Sequence, residues 1–168
     1  MAHSLSCLGT KMLRVSKMAD YATVIMGFFA RCPESSFSAV EVAEKTQVAL
    51  PSVRKVLKLL VLADALTSVR GVNGGYRLAR AASQISLADV VCAIDGPIAL
   101  TECSQESQQC YHAEHCAVQP NWQWVNQIVS QSLSAVSIEE MIKQSNKVAL
   151  ASESDEITIK ISNVKKVK

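Results

Sequence analysis

Apolar residues recur every three or four positions in the first part of the chain, which is the spacing of a helix buried on one face. The first such run follows Ser16, a residue suited to begin a helix, and ends at Cys32 and Pro33. A second run begins with a capping box at residues 38–41 (SAVE) and reaches about Lys45. The pattern therefore predicts two amphipathic helices before residue 46.

A third helix is predicted after a tight turn at residues 46–49. Pro51 suits its first turn, and its apolar positions share one face: Val53, Val56, Leu57 and Leu60. The opposite face is polar and basic: Ser52, Arg54, Lys55 and Lys58. Two short helices joined by a four-residue turn, the second with a basic outer face, are typical of a helix-turn-helix. An ordinary helical hairpin with a solvated basic face is the alternative.

Strand-like residues then flank a glycine-rich turn. Residues 66–70 (LTSVR) and 76–78 (YRL) favour strands, and residues 71–75 (GVNGG) favour a turn. A β-hairpin directly after a basic helix is a wing. The combined pattern predicts a winged helix-turn-helix.

Such a domain would bind double-stranded DNA. The basic helix would place Ser52 and Arg54 near base edges, and Arg54, Lys55 and Lys58 near phosphates. Arg70, at the wing tip, would enter a narrow minor groove, which attracts guanidinium groups.

The second half of the chain contains a further capped helix. Ser86 and Asp89 form the capping pattern, and Gly96 with Pro97 ends the helix. Cys92 lies in its apolar run and is predicted to be a small buried residue.

A long apolar stripe begins after Pro120. It consists of Trp122, Val125, Val129 and Val136, widened by Trp124, Ile128 and Leu133. The stripe is more apolar than a small monomer needs, so it predicts a dimerisation helix in a homodimer. Packing against the chain's own winged-helix domain is the alternative. A short helix capped at residues 137–140 follows, and then a polar tail.

The expected fold class is mainly α with a small β-hairpin wing, and the length suits one domain or one domain plus an appendage. The net charge is only +2, so the basic residues matter by position. The expected organisation is a disordered extension at 1–11, a winged helix-turn-helix DNA-binding domain at 12–82, a linking helix and cysteine cluster loop at 83–119, a dimerisation helix and short terminal helix at 120–144, and a tail at 145–168.

The hydropathy pattern contains no run that approaches the ~20 apolar residues of a membrane helix. Residues 1–11 lack the apolar core of a signal peptide. The protein is therefore expected to be cytoplasmic and not membrane-bound, with reduced thiols.

Three of the six cysteines lie within one short polar stretch, residues 103–116 (CSQESQQCYHAEHC). This stretch has too few apolar side chains to order itself by burial. Clustered thiolates in a reducing compartment favour a soft metal, either iron or zinc. The stretch is therefore predicted to be a metal or iron–sulfur loop.

Three features together carry a family resemblance: RVSKMADYA at residues 14–22, VRGVNGGYRLAR at residues 69–80, and three cysteines between a short helix and a long one. In these features the chain resembles the Rrf-type winged-helix regulators of the IscR/NsrR group, from about residue 13 to residue 142. The segments LRVSKMADYATV, GPIALTEC and CAVQPNWQ are closer still to regulators of the SUF iron–sulfur assembly operon.

The resemblance implies a homodimer that binds a pseudo-palindromic operator and represses iron–sulfur assembly genes. It implies one iron–sulfur cluster per subunit, 2Fe–2S or 4Fe–4S, on Cys103, Cys110 and Cys116. DNA binding would depend on that cluster and so report iron–sulfur status.

The fourth cluster ligand varies among the relatives. The IscR-like members have a histidine three residues after the last cysteine, where this chain has Gln119. The nitric-oxide-sensing members use an aspartate before the tyrosine of the first helix, across the dimer, and Asp20 matches it. Asp20 of the partner subunit is the first candidate, followed by His112 and His115. In the alternative, Asp20 caps its own helix or forms an ion pair there.

Other functions stay open at this point. A regulator of the same fold could sense nitric oxide or redox state. A zinc protein would use Cys110, His112, His115 and Cys116, although adjacent His115 and Cys116 are awkward ligands for one tetrahedral ion. An iron–sulfur carrier or electron-transfer protein would not need a winged helix. No catalytic motif has the expected spacing, so an enzyme is not expected.

Overall fold

The computed structural model describes residues 15–71, 74–101 and 116–151. The first part contains α1 (Lys17–Arg31), α2 (Ala39–Thr46), α3 (Leu50–Leu62), β1 (Leu66–Val69) and β2 (Gly75–Leu78). A short 3₁₀ helix (Ala82–Gln84) leads to α4 (Leu87–Asp95), α5 (Gln119–Ser134) and α6 (Ile138–Ala151). The described residues are thus mainly helical with one two-stranded antiparallel sheet, which confirms the predicted fold class.

Serine side chains begin four of these helices, as the sequence predicts. The hydroxyl of Ser16 accepts a hydrogen bond from the backbone N–H of Ala19 at 3.0 Å. Ser38, Ser86 and Ser137 each take part in a reciprocal capping arrangement with the acidic residue three positions on. In the first of these, the backbone N–H of Ser38 donates to Glu41 and lowers the pKa of that carboxyl.

One hydrophobic core holds the helices together. α1 contributes Ile25, Met26 and Phe29, all fully buried, and these pack with the predicted inner face of α3. That face is Val53, Val56, Leu57 and Leu60, and each has no exposed surface. These four residues, spaced at three or four positions, lie on one face of α3. Because that face is buried in the core, the opposite face of the helix points to solvent.

The hairpin is anchored to the linker between α1 and α2. Phe37 and Tyr76 exchange two backbone hydrogen bonds, with N–O distances of 3.0 and 2.8 Å, so residue 37 extends the sheet. Gly75 lies so close to this linker that a Cβ atom there would be 2.5 Å from the carbonyl oxygen of Phe37. The glycine in the wing is therefore required by a close backbone approach.

Arg80 connects three elements at the base of the wing. Its guanidinium donates to the backbone oxygen of Asp64 at 2.8 Å, just after α3, and to the backbone oxygen of Gln84 at 3.2 Å. It also pairs with the carboxylate of Asp89 in the first turn of α4, at 3.2 Å. The fork of a guanidinium suits such a junction.

Two details differ from the sequence-based expectations. Cys92 is exposed, so its predicted burial is wrong: the buried residues of α4, Ala88 and Val90, lie in the first half of the helix, and Cys92 lies in the second half. The last helix reaches Ala151 instead of ending near residue 144. Alanine, leucine and lysine near its end favour helix, which outweighs the polar character of the segment.

Candidate nucleic-acid interface and metal centre

The outer face of α3 is a set of free basic groups. Arg54, Lys55 and Lys58 are exposed, Ser52 is half-buried, and none of the three basic side chains forms an ion pair with any residue that the structure describes. Their charges are therefore available for phosphate oxygens. The exposure of this face agrees with the sequence-based prediction, because the apolar stripe on the other side of α3 is buried.

The turn between α2 and α3 sets the angle at which this face is presented. Gln47 adopts a left-handed backbone conformation (φ 57°), and its side-chain amide donates to the carbonyl oxygen of Glu44 at 2.6 Å. Val48, which follows, is buried in the core. The sequence predicted the turn but did not single out Gln47, because nothing in its side chain signals a positive φ.

Arg70 is exposed and directly follows β1, where the chain enters the turn at the tip of the wing. Residues 72 and 73 of the tip are outside the described residues. Arg77 is a second exposed arginine of the hairpin and pairs in register with Thr67. Periodicity alone did not distinguish Arg77 as a surface residue of the wing.

Of the candidate metal ligands, Cys116 and Asp20 can be placed. Cys116 is a half-buried free thiol just before α5, and its carbonyl oxygen accepts a hydrogen bond from Gln119 at 3.2 Å. Cys103, Cys110, His112 and His115 all lie outside the described residues. Within the described part of the chain, no group of three metal-binding side chains occurs.

Asp20 is exposed in the first turn of α1. The cap of this helix is Ser16, so the capping role that was one alternative for Asp20 is filled by another residue. Lys17 lies over the ring of Tyr21, at 5.6 Å from the centroid. Among the residues described, none donates a hydrogen bond to the carboxylate of Asp20, and none forms an ion pair with it.

The long helix α5 exposes both tryptophans of the chain. Trp122 is 43% and Trp124 is 62% exposed, and none of the residues from Gln119 to Ser134, all of which are described, is buried. Val118, at the start of the helix, is also exposed. Val118 and Trp122, four positions apart, lie on one side of the helix, whereas Trp124, two positions after Trp122, lies on another.

Comparison with known proteins identifies the family. The Rrf2 profile, described as an iron-dependent transcriptional regulator, matches residues 15–144. This chain belongs to the Rrf2 family. The regulator IscR of Xenorhabdus nematophila is 25% identical over 144 residues, which cover 85% of this chain and 87% of that protein.

Solved structures support the same fold. The Rrf2 chain superposes on T. potens IscR with a TM-score of 0.63 and 23% identity, covering 81% of this chain and 90% of that one. It superposes on CymR, the global cysteine regulator of B. subtilis, with a TM-score of 0.62 and 21% identity, covering 79% and 98%. Both confirm the winged-helix architecture.

As an Rrf2 protein of the IscR group, the chain is a DNA-binding transcriptional regulator. Because the family consists of regulators, the prediction that the chain is not an enzyme is confirmed. Among the described residues, no helix combines the length and the apolar character needed to cross a bilayer.

Proposed function

We propose that this Rrf2 protein is a cytoplasmic, homodimeric repressor of iron–sulfur assembly genes that binds operator DNA according to the state of an iron–sulfur cluster on Cys103, Cys110 and Cys116. The observation that carries the proposal is a physical connection through α4. At its start, Asp89 pairs with Arg80 beside the end of α3, and its other end leads into the cysteine segment. A structural change at the cysteines could therefore be transmitted through α4 to α3, the proposed DNA-recognition helix.

The donor set suits iron. Thiolates are soft ligands, and the thiol of Cys116 is free and half-buried, directly before α5. When bound, such a cluster supplies a redox-sensitive centre whose loss or oxidation can be sensed. Either a 2Fe–2S or a 4Fe–4S cluster fits three thiolates with one further ligand.

We assign the fourth ligand to Asp20 of the partner subunit. The exposed carboxylate on α1 has no competing partner among the described residues, and an oxygen ligand leaves one iron more labile than full thiolate ligation does. His112 and His115 follow as candidates. A ligand from the second subunit would couple cluster binding to the geometry of the dimer. The same coupling would also serve a regulator that senses nitric oxide or redox state.

The dimer would use α5. Its exposed Val118 and Trp122, four residues apart, share one face of the helix, which a second copy of the chain would cover. Two recognition helices would then enter successive major grooves about one DNA turn, ~34 Å, apart. A small change in dimer geometry would shift this spacing and weaken operator binding.

The test is anaerobic purification followed by iron, sulfide and zinc analysis of one sample, and then operator titration of the cluster-loaded and cluster-free dimers. We expect matching iron and sulfide, and affinities that differ by about tenfold or more. Equal affinities would refute cluster control. A colourless protein with stoichiometric zinc would refute the cluster while leaving the DNA-binding domain intact.

The basic face of α3 gives a prediction about DNA sequence. Arg54→Ala is expected to cost about 1–3 kcal/mol on the cognate operator and little on random DNA, because a base contact is lost. Lys58→Ala is expected to weaken all DNA alike and to reduce the salt slope by about one, because a phosphate contact is lost. Titrations on both DNAs at several salt concentrations measure the difference. An equal loss on both DNAs for Arg54→Ala would refute base reading.

A further inference from the structure

Asn126 joins the two chain segments that flank the cysteines. It lies about two turns into α5. Its side-chain oxygen Oδ1 accepts a hydrogen bond from the backbone N–H of Leu100 at 3.0 Å, and its Nδ2 donates to the carbonyl oxygen of Ile98 at 3.0 Å. One primary amide thus pairs with a backbone donor and a backbone acceptor of the same short segment.

The same helix carries Cys116 at its start. The backbone N–H of Gln119, in the first turn of α5, donates to the carbonyl oxygen of Cys116, so this cysteine is attached to the helix. Leu100, held by Asn126, precedes Cys103 by three residues. One rigid helix therefore fixes the chain both at the last cysteine and shortly before the first.

We propose that Asn126 is a positioning residue for the cysteine ligands: by holding residues 98–100 against α5, it sets the separation across which Cys103 and Cys116 converge. This inference rests on the proposed function and assigns a role to a residue outside the ligand set. A chain of about 13 residues can span up to ~45 Å, so its length alone does not set the distance between its ends. Fixing the ends raises the effective concentration of one thiol at the other.

The amide is matched to its site by chemistry. Ile98 and Leu100 are both half-buried, so their backbone groups have limited access to water. A carboxylate at residue 126 would still accept from Leu100 but would set its negative charge against the carbonyl oxygen of Ile98. Asn126→Asp therefore breaks half of the clamp while keeping the size and shape of the side chain. Asn121→Asp makes the same chemical change at an exposed position of the same helix.

The first measurement uses cluster-free protein in which only Cys103 and Cys116 remain, with the substitutions C7S, C32S, C92S and C110S. The dithiol reacts with oxidised glutathione to give the protein disulfide and two reduced glutathione molecules, so the equilibrium ratio reports effective concentration. We expect Asn126→Asp to lower this ratio about tenfold and Asn121→Asp to leave it unchanged. Equal ratios in the two variants would overturn the proposal.

The second measurement uses protein with all of its cysteines, loaded anaerobically with iron and sulfide. The rate of iron transfer to a chelator is expected to rise about tenfold in Asn126→Asp and not in Asn121→Asp. Thermal unfolding checks that both variants fold. If Asn126→Asp does not fold, Asn126→Ser, whose shorter side chain still has a donor and an acceptor, is used in its place. Wild-type protein that takes up no iron and sulfide would refute the proposed function, whereas the glutathione equilibrium still decides the role of Asn126.

Discussion

Cys116→Ser is expected to reduce the iron and sulfide content about tenfold or more after anaerobic purification, with loss of the visible absorbance. A serine hydroxyl is a hard ligand with a high pKa, and it replaces a soft thiolate in a set of only three cysteines. The operator affinity of the variant should equal that of the cluster-free wild-type dimer. Iron and sulfide analysis, visible spectra and operator titration of one preparation measure all three quantities.

Cys92→Ser provides the matched control for this experiment. Cys92 is exposed on α4 and lies outside the predicted ligand set, so the same substitution there should leave the iron and sulfide content unchanged. A brown, sulfide-containing Cys116→Ser protein would remove Cys116 from the ligand set. Loss of iron in both variants would point to a general effect of thiol removal and would contradict the specific assignment.

Gly75→Ala is expected to lower the free energy of unfolding by about 2–3 kcal/mol, the range for overpacked sites that have no room to adjust. The new Cβ would lie 2.5 Å from the carbonyl oxygen and 2.6 Å from the carbonyl carbon of Phe37. Both are backbone atoms, so the wing has to move away and break its two hydrogen bonds to residue 37. Urea unfolding at fixed protein concentration measures the loss.

Gly27→Ala is the control, because it makes the same substitution without a clash. Gly27 lies inside α1, and a Cβ there would have no neighbour within 4 Å. Alanine should stabilise that helix by about 0.5–1 kcal/mol, since glycine loses more backbone entropy on folding. Two variants with the same loss would show that the close approach at Phe37 is not what requires glycine in the wing.

The elements of the fold were predictable where local chemistry and periodicity agreed. Ser16, Ser38 and Ser86 predicted the starts of three helices. The spacing of the apolar residues from Val53 to Leu60 predicted which face of α3 packs against the core. The exposure of Cys92 was not predictable in the same way. Its neighbours on both sides are apolar, and only the packing of α4 decides which of them face the core.

In the candidate site, too, features within one helix were predictable from the sequence, and contacts between distant residues were not. The basic face of α3 follows from one helix and its buried stripe, so sequence was sufficient to define it. Asn126 pairs with residues 26 and 28 positions away, and Arg80 reaches Asp64 and Asp89 across separate elements. Such contacts arise from tertiary structure, and an isolated asparagine or arginine in a sequence does not reveal them.

The junction at Arg80 has a consequence for how operator binding can change. Because Arg80 ties the wing to the end of α3 and to α4, and the wing approaches residue 37 closely at Gly75, we expect the hairpin and α3 to move together as one unit. A DNA-binding unit of this kind would keep the same base preferences in the cluster-loaded and cluster-free states. In the proposed dimer, regulation would then act on the distance and angle between half-sites, and the preferred sequence within each half-site would stay constant.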